Sequence, residues 1–228
     1  MSNLNYPYIV KSLPYEIVIL EPVIDKTTLV IHHDKIYLNY IEKLNLIIKE
    51  NKDLSNYSIL ELIYNPFLIP PTILNKTLHY AGGIYNHELF FDNLTSNKHN
   101  MINGLFNEMI IEEYKSFDNY KNIILKLAAS PINYHWIITT INCKNKLQTI
   151  GLKDNDTTIP LNLYPLLVID IAEHAYFIKY HNHKDDYVNS IFSIINYVDL
   201  MKKPHSEAEG EQYLDVLARQ SARMKKLV

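Results

Sequence analysis

An aspartate and a histidine, Asp170 and His174, stand four residues apart where an apolar run meets a helix-like segment. On a helix, side chains at positions i and i+4 lie on one face, so this carboxylate and this imidazole could grip one metal ion. The same spacing is typical of an aspartate that caps a helix beside a core histidine. Spacing alone favours that plainer interpretation.

Three histidines earlier in the chain could complete such a site. His32 and His33 are neighbours in a helical segment, where adjacent side chains point about 100° apart, so we expect at most one of them to face a partner helix. His87 follows Asn86 and precedes the aromatic pair Phe90–Phe91. A single histidine that faces a core is more often a hydrogen-bonded core residue than a ligand. These residues alone therefore leave both interpretations open.

Two long helices would carry these histidines. Residues 26–51 have apolar side chains at helical spacing, and Asp25 is the expected N-cap. A second helix is predicted over 72–93, where the pair Gly82–Gly83 indicates close packing. The segment between them is interrupted by prolines, so the first half predicts an αα-hairpin. One apolar stripe of the first helix is expected to contain Leu29, Ile36, Tyr40 and Leu44.

The second half mixes helices with short strands, which predicts an α+β fold: an N-terminal α-hairpin followed by a C-terminal α/β domain with a small antiparallel sheet. We expect a hairpin domain over 1–95, the α/β domain over 96–203 and a divergent tail over 204–228. That tail holds both arginines of the chain, and it predicts either a partner-binding terminal helix or a segment of unrelated origin. The expected elements are one or two helices in 100–129, strands at 134–141, 146–151 and 165–170, and helices at 172–182 and 185–200.

Composition excludes several classes of protein. Apolar residues make up 47% of the 228 residues, enough for a large core, and no apolar run is long enough to cross a membrane. The net charge of −3 gives no reason to expect a nucleic-acid partner. A single cysteine, Cys143, excludes a disulfide framework and favours an intracellular protein, cytoplasmic or mitochondrial.

Three blocks of the sequence resemble the iron/manganese superoxide dismutase family, in the family's order, over roughly residues 12–200. The first resembles the family's N-terminal segment, the second its AGGxxNHxxFW block, and the third its DxxEHAY block with the N…DY…NY continuation. The third block is the most specific of the three. The blocks read LPYEIVILEPVIDKTTLVIHHDKIYLNYIEKLN, AGGIYNHELFF and PLLVIDIAEHAYFIKYHNHKDDYVNSIFSIINY.

The resemblance implies a metal site and a reaction. Three imidazoles and one carboxylate would hold one manganese or iron ion per chain, with a further coordination position left for solvent. The family converts superoxide to oxygen and hydrogen peroxide by redox cycling of that ion. The implied ligands are His32, His87, Asp170 and His174.

Residues around the implied ligands also match family positions. Tyr40 matches the tyrosine that lines substrate access and joins the proton relay. Glu173 matches a glutamate that bonds a ligand histidine of the other subunit, which implies a homodimer. Trp136 keeps one tryptophan of the family's aromatic cage, and Tyr134 replaces another.

The chain departs from the family pattern around the site. The family's access histidine is Ile36 here, and its tyrosine partner across the dimer is Phe177. Gly83 stands where iron forms carry a glutamine, which favours manganese. In manganese forms the glutamine comes from a later loop, where alignment places Asp154 with Lys153 and Asn155 within its error, so we expect that amide to be missing. Two further cage tryptophans are replaced, by Phe91 and Ala172.

Two functions follow from these matches and departures. The intact ligand set favours a superoxide dismutase. The departures favour a dismutase-fold structural subunit without catalysis, such as a mitochondrial ribosomal component, and only that alternative implies a nucleic-acid partner.

Overall fold

In a computed structural model of the chain, residues 6–96, 102, 104–142 and 144–200 are described. The predicted C-terminal tail, 204–228, lies outside the described residues. Among the helices of the described part, none is both long enough and apolar enough to cross a bilayer.

The first half is an α-hairpin, as the sequence predicts. Asp25 caps the first helix by accepting a hydrogen bond from the Thr28 backbone N–H, at 3.0 Å. The second long helix packs against the first. The helices of this half are α1 Lys26–Ile31, a π-helical segment His32–Tyr37, α2 Leu38–Glu50, α3 Ile59–Tyr64 and α4 Leu74–Asp92.

The π-helical segment was not predicted, and it changes which residues face the core. Within it, the Leu38 backbone N–H bonds the His33 carbonyl five residues earlier. Both His32 and His33 are buried and both rings contact Phe91 of α4, so the expectation that at most one would face the partner helix is wrong. The predicted stripe is also partly wrong, because its middle members, Ile36 and Tyr40, are only half-buried. The buried stripe is Leu29, Tyr37, Ile41, Leu44 and Ile48.

The second half contains the predicted small sheet with helices packed around it. The central strand, β1, pairs antiparallel with both neighbours in the order β2-β1-β3. The predicted α+β fold is therefore confirmed. The elements are α5 Gly104–Tyr114, α6 Phe117–Ala128, β1 Trp136–Ile141, β2 Leu147–Leu152, β3 Tyr164–Asp170, α7 Glu173–Tyr180, α8 Lys184–Ile191 and α9 Tyr197–Leu200.

Buried polar contacts tie the two halves together. The Asn93 side chain, just past α4, donates to the Leu166 carbonyl and accepts from the Val168 N–H, both in β3. The Tyr180 hydroxyl at the end of α7 donates to the Val23 carbonyl ahead of α1. Because buried hydrogen bonds are costly to break, these contacts fix α4 and α1 relative to β3 and α7.

Candidate metal centre

Four side chains from separate elements converge on one buried point. Their ligand atoms all lie within 4.8 Å of one another. Three of the side chains are fully buried and the fourth is partly exposed. They are His32 at the start of the π-helical segment, His87 in α4, Asp170 at the end of β3 and His174 in the first turn of α7.

The carboxylate of Asp170 is the centre of this ligand cluster. Its Oδ2 lies 3.0 Å from His174 Nε2, 3.1 Å from His32 Nε2 and 3.7 Å from His87 Nε2. Donor atoms bound to one first-row metal at about 2.1 Å would lie roughly 3–4 Å apart. The observed separations therefore fit a single ion.

Neighbouring groups fix the orientation of Asp170. Its Oδ1 accepts a hydrogen bond from the Ala172 backbone N–H at 2.9 Å. Its backbone carbonyl accepts one from the Tyr187 hydroxyl, also at 2.9 Å. The carboxylate cannot turn without breaking the first bond, so Oδ2 stays directed at the imidazoles.

Two buried imidazole nitrogens of the cluster lack a well-aligned hydrogen bond among the described residues, although His32 Nε2 lies 3.1 Å from Asp170 Oδ2. His87 Nδ1 lies 2.6 Å from the Gly83 carbonyl oxygen, which can only accept, so Nδ1 carries the proton. In the neutral ring, Nε2 then presents a lone pair toward Asp170. His87 Nε2 and His32 Nε2 are both buried and lack a hydrogen bond to any described group. A buried lone pair that faces a carboxylate is repelled unless a cation lies between them.

Burial and mutual charge set the protonation of the ligand cluster. Burial lowers the pKa of His87 to about 3 and also lowers the pKa of His32, so both rings are neutral. Burial alone would raise the pKa of Asp170, but the neighbouring His174 and His32 hold it well below its usual range. Burial opposes protonation of His174, yet Asp170 raises its pKa. An anionic carboxylate with imidazole nitrogens is a donor set that suits manganese, iron or zinc.

Aromatic side chains enclose the ligand cluster. The Trp136 ring meets His87 edge-on at 5.0 Å between centroids, and its Nε1–H donates to the Asp154 carbonyl at 2.8 Å. Phe91 contacts His32 at 5.1 Å. Tyr134 covers Gly151, where an added Cβ would lie 2.4 Å from the Tyr134 ring. The retained tryptophan is therefore in contact with the ligand cluster, and Tyr134 packs on β2 beside it.

A cavity of about 530 Å³ reaches the ligand cluster from solvent. Tyr40 stands at its inner end, with its ring 5.3 Å from that of His87. His174, with 26% of its side chain exposed, is the member of the cluster that faces the opening. The cavity lining also includes Asn133, His135, Trp136, Asp154, Asn155, Glu173 and Lys184.

An amide faces this cavity, although the sequence predicted that none would. Asp154, the aligned residue, is largely exposed, whereas Asn155 is buried beside Gly83 and Tyr40. An added Cβ on Gly83 would lie 2.8 Å from Asn155 Nδ2. The Asn155 amide also opposes the rise in the pKa of the Tyr40 hydroxyl that burial causes. Residues 151–160 read GLKDNDTTIP, and Asn155 is the only residue among them with an amide side chain. This signal could have identified Asn155 as the source of the amide.

Three other predicted positions make no hydrogen bond to the ligand cluster among the described residues. Glu173 is exposed at the start of α7. Phe177, on the same helix, is 49% exposed, and Ile36 is half-buried in the π-helical segment. None of the three supplies a polar contact to the four converging side chains among the contacts of the described residues.

Two family models match the chain. The model of iron/manganese superoxide dismutases, alpha-hairpin domain, matches residues 7–95. The model of iron/manganese superoxide dismutases, C-terminal domain, matches residues 102–203. Together the two matches cover most of the chain, including all four converging residues.

Proposed function

This chain belongs to the iron/manganese superoxide dismutase family, and we propose that it is a superoxide dismutase whose single manganese or iron ion is held by His32, His87, Asp170 and His174. The observation that supports the proposal most directly is the buried Nε2 lone pair of His87, which faces the Asp170 carboxylate and has no hydrogen-bond partner among the described residues. Without a cation this arrangement is unfavourable, and with one it is satisfied.

The bound ion would supply one-electron redox chemistry, oxidising one superoxide to oxygen and reducing a second to hydrogen peroxide. The protein would supply charge and proton control. Asp170 contributes a fixed negative charge and the two neutral imidazoles contribute lone pairs. The Tyr40 hydroxyl keeps its proton, because burial raises its pKa, and it stands at the inner end of the cavity as a donor.

Manganese is the metal we propose, because of the space around Gly83. A side chain at that position would collide with Asn155 Nδ2 at 2.8 Å and with Tyr40 Cδ2 at 3.1 Å. A glutamine therefore has no room there, and the amide comes from the 153–158 loop instead. By the resemblance described above, an amide from this loop is the manganese pattern.

We also propose a homodimer formed through the exposed face of α7. Glu173 lies on this face, and Phe177 and Ile178 expose 49% and 44% of their surfaces. Ile31, on the adjoining α1, is 36% exposed. Light scattering after size exclusion should give twice the chain mass, and a Phe177→Glu variant should shift it toward the monomer.

Metal analysis combined with a superoxide-scavenging assay tests the main proposal. We expect about one manganese per chain and activity that disappears when the metal is removed. Stoichiometric metal without activity would instead support the structural-subunit alternative, which is favoured by Ile36 and Phe177 at the two access positions. A purified protein that binds no metal would contradict the site itself.

A further inference from the structure

Two cavities meet at the Asp154–Asn155 turn. The inner one is the 530 Å³ cavity that reaches the ligand cluster. The outer one, of about 670 Å³, lies between α3, α4 and the 153–162 loop. Asp154 and Asn155 line both, whereas Tyr40 lines only the inner cavity and His79 only the outer one. The turn is therefore the wall between them.

Hydrogen bonds join His79 to both residues of this wall. His79 Nδ1 lies 3.0 Å from Asp154 Oδ2, and His79 Nε2 lies 3.4 Å from Asn155 Nδ2. The Asn155 side chain lies beside Tyr40, and its amide opposes the rise in the pKa of the Tyr40 hydroxyl that burial causes. No other hydrogen bond of the Asn155 side chain is present among the described residues, so the contact with His79 sets its orientation.

These distances are consistent with only one proton arrangement of a neutral His79. The Asp154 carboxylate accepts, so Nδ1 must carry the hydrogen. Nε2 is then an acceptor, and it can bond only the NH₂ group of Asn155, not its oxygen. The imidazole therefore distinguishes the two ends of an otherwise near-symmetric amide.

The backbone supports this arrangement. Asp154 has φ +46, in the left-handed region that aspartate tolerates better than most residues. Its carbonyl accepts the Trp136 indole N–H, and the Asn86 side chain donates to the Asp156 carbonyl at 2.9 Å. The turn is thus held on both sides of Asn155, and the remaining freedom is the rotation of the Asn155 amide itself.

We propose that the Asp154–His79 pair is a positioning device that locks the Asn155 amide, with its NH₂ group toward His79, beside Tyr40 at the mouth of the metal centre. The hydrogen bonds of this pair are present without the metal. Only the expected effect on turnover rests on the proposed function. His79 is a positioning residue here, since it contacts no ligand of the cluster.

The first test reads the His79 proton directly in the metal-free, full-length chain. Long-range ¹⁵N–¹H spectra at pH 8.5, assigned with His79→Gln, should show His79 as the Nδ1–H tautomer. Asp154→Gly, which suits the positive φ, should convert most of the population to the Nε2–H tautomer. A wild-type Nε2–H tautomer, or a tautomer that Asp154→Gly leaves unchanged, would overturn the proposal.

The second test measures how the orientation of the Asn155 amide affects the turnover number of the manganese-loaded protein. His79→Phe should lower the turnover number about three- to tenfold at unchanged manganese content, because the amide can then rotate. His79→Gln, whose side-chain oxygen can accept from the Asn155 NH₂ group, should recover at least half of the loss. Asn75→Ala, in the lining of the outer cavity, is the matched control and should leave turnover unchanged.

Equal loss in His79→Phe and His79→Gln would overturn the positioning role, because it would show that only the shape of the imidazole matters. If wild-type protein binds manganese but does not turn over superoxide, the proposed function fails, and the tautomer experiment alone decides the inference. The two failures are therefore distinguishable.

Discussion

The ligand cluster and the rim of its cavity differ in burial and in how closely their residues match the family pattern. The cluster, His32, His87, Asp170 and His174, is enclosed by helices, strand and aromatic rings, and its carboxylate has a hydrogen-bonded partner on Oδ1. The rim, defined as the Asp154–Asn155 wall with Tyr40 on its inner side and His79 on its outer side, combines an exposed Asp154 with a buried Asn155 amide. The four ligand positions match the family pattern, whereas the amide at the rim comes from a different residue type, Asn155, in the 153–158 loop.

The largest expected effect is the loss of metal binding when the central carboxylate of the ligand cluster is removed. Retained binding would contradict the distinction between cluster and rim. Asp170→Asn keeps the shape but removes the charge, so we expect metal affinity to fall on the order of 100-fold or more, beyond the effect of losing an outer hydrogen-bond partner. Metal content after dialysis against a buffered metal solution measures this. Asp118→Asn, on the exposed surface of α6, is the control and should retain full metal content.

The pH dependence of the metal-free protein tests whether the cluster is truly excluded from water. The pKa of His87 is lowered from 6.5 to about 3, so the unfolded chain binds a proton that the folded chain rejects. Stability is therefore complete above pH 6.5 and falls as the pH drops below it, by up to about 1.4 kcal/mol per pH unit from this group.

His174 does not cancel this slope. Its pKa is raised, so the stability it contributes is complete below pH 6.5 and is lost only as the pH rises through its folded pKa. Urea unfolding at several pH values between 4 and 7 gives the slope. His87→Gln should flatten it, and a wild-type slope already as flat as that of the variant would contradict the buried, neutral state.

Alanine substitutions at the adjacent glycines Gly82 and Gly83 compare a clash with backbone atoms and a clash with side-chain atoms. An added Cβ at Gly82 would lie 2.1 Å from the Asn155 backbone oxygen, which cannot move without shifting the turn. Gly82→Ala should therefore lower the free energy of unfolding by about 1–3 kcal/mol, despite the better helix propensity of alanine. Gly83→Ala meets only side-chain atoms and should cost less. Chemical denaturation of both variants checks the order, and a larger loss for Gly83→Ala would show that the turn is not rigid.

The smallest effect should come from restoring the polar pair that the family uses at its access. Ile36→His combined with Phe177→Tyr changes half-buried or half-exposed positions, so metal content should stay the same. If the rim already controls protons through Asn155 and Tyr40, activity should rise less than about tenfold, well below the usual contribution of a missing acid–base group. A gain of about 100-fold would show that the rim does not compensate.

The sequence predicted the fold and assembled the four converging residues by resemblance, because those features depend on patterns spread along the whole chain. It failed where a local change of geometry decided the outcome. The helical spacing assumed a uniform α-helix, so the π-helical segment and the burial of both His32 and His33 were missed. The sequence left Lys153, Asp154 and Asn155 as alternatives in the 153–158 loop, because the turn at Asp154, with its positive φ, decides which of them is buried, and that residue is Asn155.

The π-helical segment His32–Tyr37 makes the site depend on chain length as well as on residue identity. A widened turn of this kind holds one residue more than an α-helix would over the same span. Deleting one residue from it would leave an unbroken α-helix with a better hydrogen-bond ladder, yet it would rotate His32 by about 100° relative to α2. Such a deletion could leave the fold and every ligand residue in place and still abolish the metal centre. The metal centre therefore depends on the number of residues in this helix as well as on their identity.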